Sequence, residues 1–301
     1  MSEIAFLGAI ETGLLFGLVA LGVFLTFRIL NFPDLTVDGS LPLGAAVAAT
    51  LIVSGLDPFF ATFMAMVAGA MAGVVTGWLN VRLKILHLLA SILTMIALYS
   101  VNLRIMGRPN VPLLGERTVF TPVEEMFDLP YYWTNLMVLT VVVVVAKVLI
   151  DKFLYSEIGL AMRATGANPR MARAQGIRTD LIILLGVGLS NALVALTGAL
   201  FAQVQGTADI SMGVGVIVVG LAAVILGEAV MSARIIFLAT FACIAGSIVY
   251  RLAVALALNA GFLGLQAQDL KLITAVLVAT AMTLPGMRKR LFRQRKGSTD
   301  D

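Results

Sequence analysis

The amino-acid sequence predicts an all-α, polytopic membrane helical bundle with one structured cytoplasmic segment, and three observations carry that prediction. Hydrophobic residues form 60% of the 301 and charged residues 13%, against ~45–50% and ~25% in an ordinary soluble domain. Mean hydropathy is +1.00, and a soluble globule of this size would be left with large apolar patches. The apolar residues also fall in long continuous runs, as in helices that cross a ~30 Å hydrocarbon core with ~20 residues each. A membrane β-barrel would instead show alternation over ~10-residue strands.

Taken in order, the runs 5–27, 34–53, 58–81, 86–106, 134–151, 180–201, 212–230, 235–257 and 269–287 give about nine transmembrane helices. Residues 1–301 read as one transmembrane domain, with the cytoplasmic segment 156–178 inside it and a basic tail over 288–301. The first run is read as a span and not as a cleaved signal peptide. It lacks a basic leader, carries Glu3 and Glu11, and has its basic residue, Arg28, at the far end.

Lysine and arginine set the orientation. With nine spans and a cytoplasmic C-terminus, the inner loops hold Arg28, then Arg82 and Lys84, then Lys152, Arg163, Arg170, Arg173 and Arg178. Arg234 and the tail from Arg288 to Lys296 follow on the same side. Outer loops hold Arg108 and Arg117, outnumbered by Glu116, Glu124, Glu125 and Asp128, with Asp57 and Asp209 outside as well. The N-terminus is therefore expected outside and the C-terminus in the cytoplasm of a bacterial plasma (inner) membrane. Tyr131, Tyr132 and Trp133 read either as an outer interfacial belt or as loop packing. The outer connection from Gly107 to Pro130 carries Pro109, Pro112, Pro122 and Pro130, which predicts a partly extended, weakly helical stretch.

Composition also excludes whole classes. Cys243 is the sole cysteine and His87 the sole histidine, so neither a disulfide scaffold nor a structural zinc site is expected. The net charge of +4 would suit nucleic acid, but the basic residues lie between apolar spans. The lipid bilayer is the expected partner, and no nucleic acid is. No glycine-rich stretch ends in Gly-Lys-Ser or Gly-Lys-Thr, so the chain has no P-loop for ATP. No mid-membrane carboxylate pair offers acid–base chemistry, and neither an enzyme nor a cofactor is expected.

Residues 156–178, SEIGLAMRATGANPRMARAQGIR, are too polar to span and too well punctuated for disorder. Ser156 is placed to cap a first short helix, with Glu157 near its positive end, and Gly166 to terminate it. Asn168 then caps a second helix, Pro169 takes the first helical position, and Gly176 stops it. Small residues, Ala161, Ala164, Ala172 and Ala174, alternate with Arg163, Arg170, Met171 and Arg173. Such a knob suits insertion into a groove on a soluble partner; it equally suits an interfacial helix pair resting on anionic headgroups.

The pattern of Gly159, Ala161, Arg163, Ala164, Gly166, Asn168, Pro169, Ala172, Gly176 and Ile177 resembles the cytoplasmic coupling segment of one importer family. These are the permeases of ATP-binding-cassette (ABC) importers of the branched-chain amino acid and ribose type. The stretches Gly17 to Gly22 (GLVALG), Asn31-Phe32 and Gly44-Ala45 are similar to that family's first helices and the asparagine–phenylalanine turn between them. Where family members usually continue with alanine, histidine and glycine, this chain has Pro33, Asp34, Leu35, Thr36, Val37, Asp38 and Gly39. That departure resembles a less characterised branch linked to periplasmic binding proteins and aromatic amino acid uptake.

The resemblance implies a transport subunit with two cytoplasmic ATPase partners, an extracytoplasmic substrate-binding protein and a second permease copy, the same chain or a related one. It implies ATPase coupling through Glu157, Gly159, Arg163, Ala164, Gly166, Asn168, Pro169, Arg173 and Gly176. An amino acid is the expected cargo. The alternative, an ion-coupled secondary transporter, needs ionisable groups deep in the spans, and Asp38 is the candidate there.

Polar residues within the spans are expensive and so are read for function. Asp38 and Ser40, in the setting Gly39-Ser40-Leu41-Pro42, suit a broken helix facing a cavity; Asp38 also suits capping a helix that begins near Leu41. Arg251 suits either the pathway or snorkelling to outer headgroups. Asn191, Thr197, Gln203 and Asn102 suit interhelical hydrogen bonds, with Asn191 and Gln203 also pathway candidates. Glu228 is placed to pair with Arg234, and His87 to lie at the interface. A faint echo, Leu43-Gly44-Ala45-Ala46 against Gly220-Leu221-Ala222-Ala223, sits on runs of opposite direction, as an inverted repeat requires.

Overall fold

The computed structural model describes residues 3–127, 131–231 and 235–259. The expected run 269–287, the basic tail, Asp128, Pro130 and Arg234 lie outside the described residues. Helices α1 (Glu3–Val23), α2 (Val37–Val53), α3 (Pro58–Leu83), α4 (His87–Met106) and α6 (Tyr131–Tyr155) fall on the first five expected runs. Helices α9 (Thr179–Gln205), α10 (Val216–Val230) and α11 (Ile236–Asn259) fall on the next three. Among the described residues, five helices are long and apolar enough to cross a membrane: α1 with its extension to Ile29, α3, α4, α9 and α11.

The connection between α4 and α6 holds a short helix, α5 (Thr121–Phe127), and a strand, β1 (Asn110–Pro112). That strand pairs antiparallel with β2 (Thr207–Asp209), which sequence patterning did not anticipate. Between α6 and α9 come α7 (Glu157–Ala167) and α8 (Pro169–Ala174).

Helix α1 is the hub. The consecutive residues Leu18, Val19, Ala20 and Leu21 are all fully buried, and a helix apolar on every side belongs inside a bundle. It unwinds into a π segment, Phe24–Ile29. There the Leu30 N–H reaches back to Leu25 O at 3.0 Å, and Asn31 turns the chain at φ +53°. Asparagine tolerates this left-handed geometry better than most residues. Residues 30–36 then fold back into the bundle, and α2 starts in the interior.

Helices α1–α2–α3 and α9–α10–α11 form an inverted repeat. In the first half α2 packs on α3 and on α9; in the second, α10 packs on α11 and on α1. Correspondingly α3 packs along α9 and α11 along α1. Gly22 and Phe16 of α1 meet Ser190 and Phe201 of α9, so the two lead helices are antiparallel. The sequences agree at one offset: Leu18 to Leu21 and Leu193 to Leu196 both read LVAL, and Asp34-Leu35-Thr36 answers Asp209-Ile210-Ser211. In each triplet the third residue's N–H donates to the aspartate Oδ1, at 2.9 Å for Thr36 and 2.7 Å for Ser211.

Small residues bring the helices into contact. A Cβ on Gly44 would lie 1.9 Å from Ala195 O, and one on Gly198 would lie 1.9 Å from Leu41 O. Membrane helices gain association from such close approach, having no hydrophobic drive between them.

Candidate functional site

Two constellations stand out: a polar centre where α2 and α10 begin, and the helix pair α7–α8 at one end of the bundle.

The first is built on two short helices. At 17 and 15 residues, α2 and α10 fall below the ~20 needed to cross a bilayer core, and their N-termini meet. Asp38 lies in the first turn of α2, yet its carboxylate serves α10. Oδ2 accepts the Gly215 N–H at 3.1 Å and Oδ1 the Ile217 N–H at 2.8 Å. The expectation that Asp38 caps a helix starting near Leu41 is corrected: α2 starts at Val37 and runs through Pro42. Pro42 has no N–H for the carbonyl four residues back, which is that of Asp38. Against this carbonyl Gly213 packs so closely that a Cβ would lie 2.0 Å from it.

Behind Asp38 lies a buried network. Asn191 Nδ2 donates to Asp34 Oδ2 at 2.7 Å, and Ser40 Oγ donates to Asn191 Oδ1 at 2.7 Å. Thr36 and Thr76 share a hydroxyl–hydroxyl bond of 2.8 Å. Asn191 lies 12 residues beyond Thr179, ~18 Å along α9 at 1.5 Å per residue, so the network sits well inside the bundle. Asn102 Nδ2 adds a bond to Gly39 O at 3.2 Å from α4.

Of the five pathway candidates, the structure brings Asp38, Ser40 and Asn191 together and leaves two apart. Gln203 accepts the Val119 N–H at 2.9 Å and donates to Thr62 Oγ1 at 2.9 Å, tying the connection between α4 and α6 to α3. Arg251 lays its guanidinium over the Phe16 ring at 4.0 Å, a cation–π contact within the bundle. Thr197 donates to the Leu193 carbonyl of its own helix at 2.9 Å, an intrahelical bond where an interhelical one was expected. Glu228 accepts from Arg28 Nε at 2.7 Å, while Arg234 lies outside the described residues. Asp34 was missed as a site residue; its D-x-T spacing and the matching D-x-S at Asp209 were the available signals. Asp209 itself lies at the opposite end of the repeat. The hydroxyl and N–H of Ser211 hold its carboxyl below the usual aspartate range.

The second constellation has the expected caps. Ser156 Oγ accepts the Gly159 N–H at 3.3 Å, and Asn168 Oδ1 accepts the Met171 N–H at 3.1 Å with Pro169 next. Gly176 ends the pair at φ +83°. Gly166 has a different part from the one its type suggested. Helix α7 runs past it to Ala167, and Gly166 instead rests on the end of the π segment, where a Cβ would lie 1.8 Å from Ile29 O.

Met162, fully buried, packs with Leu30, Ile182 and Val187. Arg173, still exposed, ties α8 to the start of α9, donating from Nε to Thr179 Oγ1 at 2.6 Å and from Nη2 to Asp180 Oδ1 at 2.7 Å. Glu157, Arg163, Ala164, Arg170 and Met171 remain exposed. The pair is thus fixed to α1, α6 and α9 on one side and open on the other.

Among the described residues no cluster of histidine, cysteine or carboxylates could hold a metal ion. Comparison with known proteins decides the family. The profile described as "Branched-chain amino acid transport system / permease component" matches residues 6–284. The chain belongs to this family. It is 38% identical over 265 residues, 88% of this chain and 86% of the relative, to the tyrosine transport system permease protein of Clostridioides difficile. An uncharacterised protein of Rickettsia prowazekii is 36% identical over 91% of this chain and 95% of its own length. The ribose import permease protein RbsC of Bacillus subtilis is 28% identical over 72% of this chain and 66% of its own. No solved structure matches.

The protein is therefore a permease subunit of an ABC importer, a multi-pass membrane protein and not an enzyme. Its family works with ATPase and substrate-binding protein partners.

Proposed function

We propose that this permease passes an amino acid inward, with α7–α8 as the coupling element that seats in its ATPase. The observation that carries the coupling reading is the seating of Gly166 on Ile29 O. It fixes the pair to the hub helix while Arg163, Arg170 and Met171 face outward. An aromatic amino acid is the first cargo to test, because the C. difficile relative is named a tyrosine permease. The passage runs beside the meeting N-termini of α2 and α10, in keeping with transporters that place broken helices at their substrate path.

A homodimer of nine-span chains completes the permease, with N-terminus outside and C-terminus in the cytoplasm. Ion coupling gains no support from Asp38, whose carboxylate is taken up by two backbone N–H groups of α10.

The test is reconstitution with ATPase and binding protein, comparing wild type with Gly166→Trp and Arg163→Glu. Both variants should insert normally yet lose ATPase co-purification or binding-protein-stimulated hydrolysis. Normal values in both would end the coupling reading. Reporter fusions after Asp151 and near Glu124 should read cytoplasmic and extracytoplasmic respectively; the same side for both would overturn the orientation. Uptake of labelled tyrosine against labelled leucine and ribose tests the cargo separately.

A further inference from the structure

Helix α6 carries a buried ion pair that neither constellation uses. Lys147 and Asp151 lie one turn apart, with side chains only 8% and 10% exposed. Both reach onto α11. Thr240 Oγ1 donates to Asp151 Oδ1 at 2.6 Å, and the Phe237 ring centroid lies 3.5 Å from Lys147 Nζ.

Stability does not account for keeping such a pair. Desolvating two charges costs several kcal/mol per ion, and replacing a buried pair by well-packed apolar residues is often neutral or stabilising. Ionisable residues within spans are by default functional. The position of this pair indicates its use. Only Ser156 separates α6 from α7. The first turn of α7 also lies directly against the end of α6, since a Cβ on Gly159 would sit 2.2 Å from Phe153 O. Displacing α7 therefore displaces the end of α6, one turn from Asp151. There the carboxylate and ammonium hold the first turns of α11, the third helix of the second repeat.

We propose that Lys147 and Asp151 are positioning residues for transport: through Phe237 and Thr240 they make α11 follow the α7–α8 segment when the ATPase moves it. The proposal rests on the coupling reading above. An apolar replacement would pack without directional bonds and let α11 slip, whereas hydrogen bonds and a fixed charge pair specify one register.

The experiment uses the complete importer in nanodiscs, in a Cys243→Ser background. Spin labels sit at two exposed positions, Leu160 on α7 and Val249 on α11. In wild type the label separation should stay the same between nucleotide-free and ATP–vanadate-trapped states, because the helices move together. In Lys147→Met/Asp151→Leu the complex should still co-purify, but the trapped-state distance should shift or broaden. Binding-protein-stimulated hydrolysis should fall at least about fivefold, the lower range of ordinary coupling energies, and Asp151→Glu should restore part of it.

Wild-type distances and stimulation in the apolar variant would overturn the proposal. If that variant fails to assemble, Thr240→Val, which removes the bond to Asp151 and otherwise only the hydroxyl's longer contacts to Ile236 O and Phe237 O of its own helix, should show the same loss; wild-type behaviour there would also overturn it. Failure of the coupling reading is separately visible, as normal assembly and stimulated hydrolysis in Gly166→Trp.

Discussion

Replacing Asn191 by leucine is the sharpest test of the polar centre. The change keeps the branched side-chain shape, with two methyls in place of the amide O and NH2, and removes the bond to Asp34 Oδ2 (2.7 Å), the one from Ser40 Oγ (2.7 Å) and the one to Val187 O (2.9 Å). The Val187 carbonyl is four residues before Asn191 and keeps its helical partner, so that loss is minor. Asp34 is 2% exposed and Ser40 fully buried, so neither can turn to water. Leaving a buried polar group unpaired costs ~1–3 kcal/mol, more for a charge, which gives ~2–6 kcal/mol for the two. Interhelical bonds in membranes average nearer ~0.6 kcal/mol, because the unfolded chain finds other partners; two such bonds set a floor of about 1 kcal/mol.

Equilibrium unfolding in mixed detergent micelles measures the loss, and a double-mutant cycle with Asp34→Leu isolates the pair. Once the carboxylate is gone, losing Asn191 should cost less, with a coupling energy above about 1 kcal/mol. Additivity within ~0.5 kcal/mol would refute the network as an energetic unit.

Three further outcomes follow from the same geometry. Asp38→Ala should destabilise by ~0.5–2 kcal/mol, the worth of an N-cap, with faster hydrogen exchange at Gly215 and Ile217; unchanged exchange there would show that the carboxylate does not hold α10. Arg251→Lys keeps a cation for the Phe16 ring and should sustain transport while Arg251→Leu impairs it; loss in both with normal assembly would assign the guanidinium to substrate. Asp209 has a folded pKa below its ordinary value, so its contribution is present above the ordinary aspartate range and lost as pH falls through the lowered pKa. Asp209→Asn should therefore flatten the acid side of the stability profile, which unfolding from pH 5 down to pH 2 reads directly.

What the sequence made legible was local. The spans follow from runs of apolar residues, and the caps of α7 and α8 follow from Ser156, Asn168 and Pro169, each acting within three residues of itself. Gly166 was legible as a required glycine, but its reason was not: the carbonyl it meets belongs to Ile29, far away in the chain. The same limit hid Asp34, whose partners Asn191 and Thr36 lie one on another helix and one two residues away. Only the Thr36 half of that bonding lies within the reach of local reasoning, and it went unread. The short strands β1 and β2 were invisible for a related cause, since three-residue strands pair only through backbone brought together by α4 and α9.

The inverted repeat explains why carboxylates stand inside this bundle at all. Each half sends a stretch of non-helical chain between its lead helix and a short second helix, and where that stretch is buried, as at Asp34 and Thr36, its backbone groups have no water to bond. The chain answers with side chains. Asp34 accepts the Thr36 N–H inside the first half, and Asp38 crosses between halves to serve Gly215 and Ile217; Asp209 makes the matching bond to the Ser211 N–H at the exposed end of the second half. A carboxylate held by backbone N–H groups has its lone pairs directed at fixed donors. Releasing one to carry a proton or sodium ion would leave the N–H groups at a helix N-terminus without their acceptor, at up to ~1–3 kcal/mol per group where it is buried. An ion-coupled transporter needs groups that exchange partners cheaply; these do not. The bonding of Asp34 and Asp38 thus fits a permease whose energy comes from another chain.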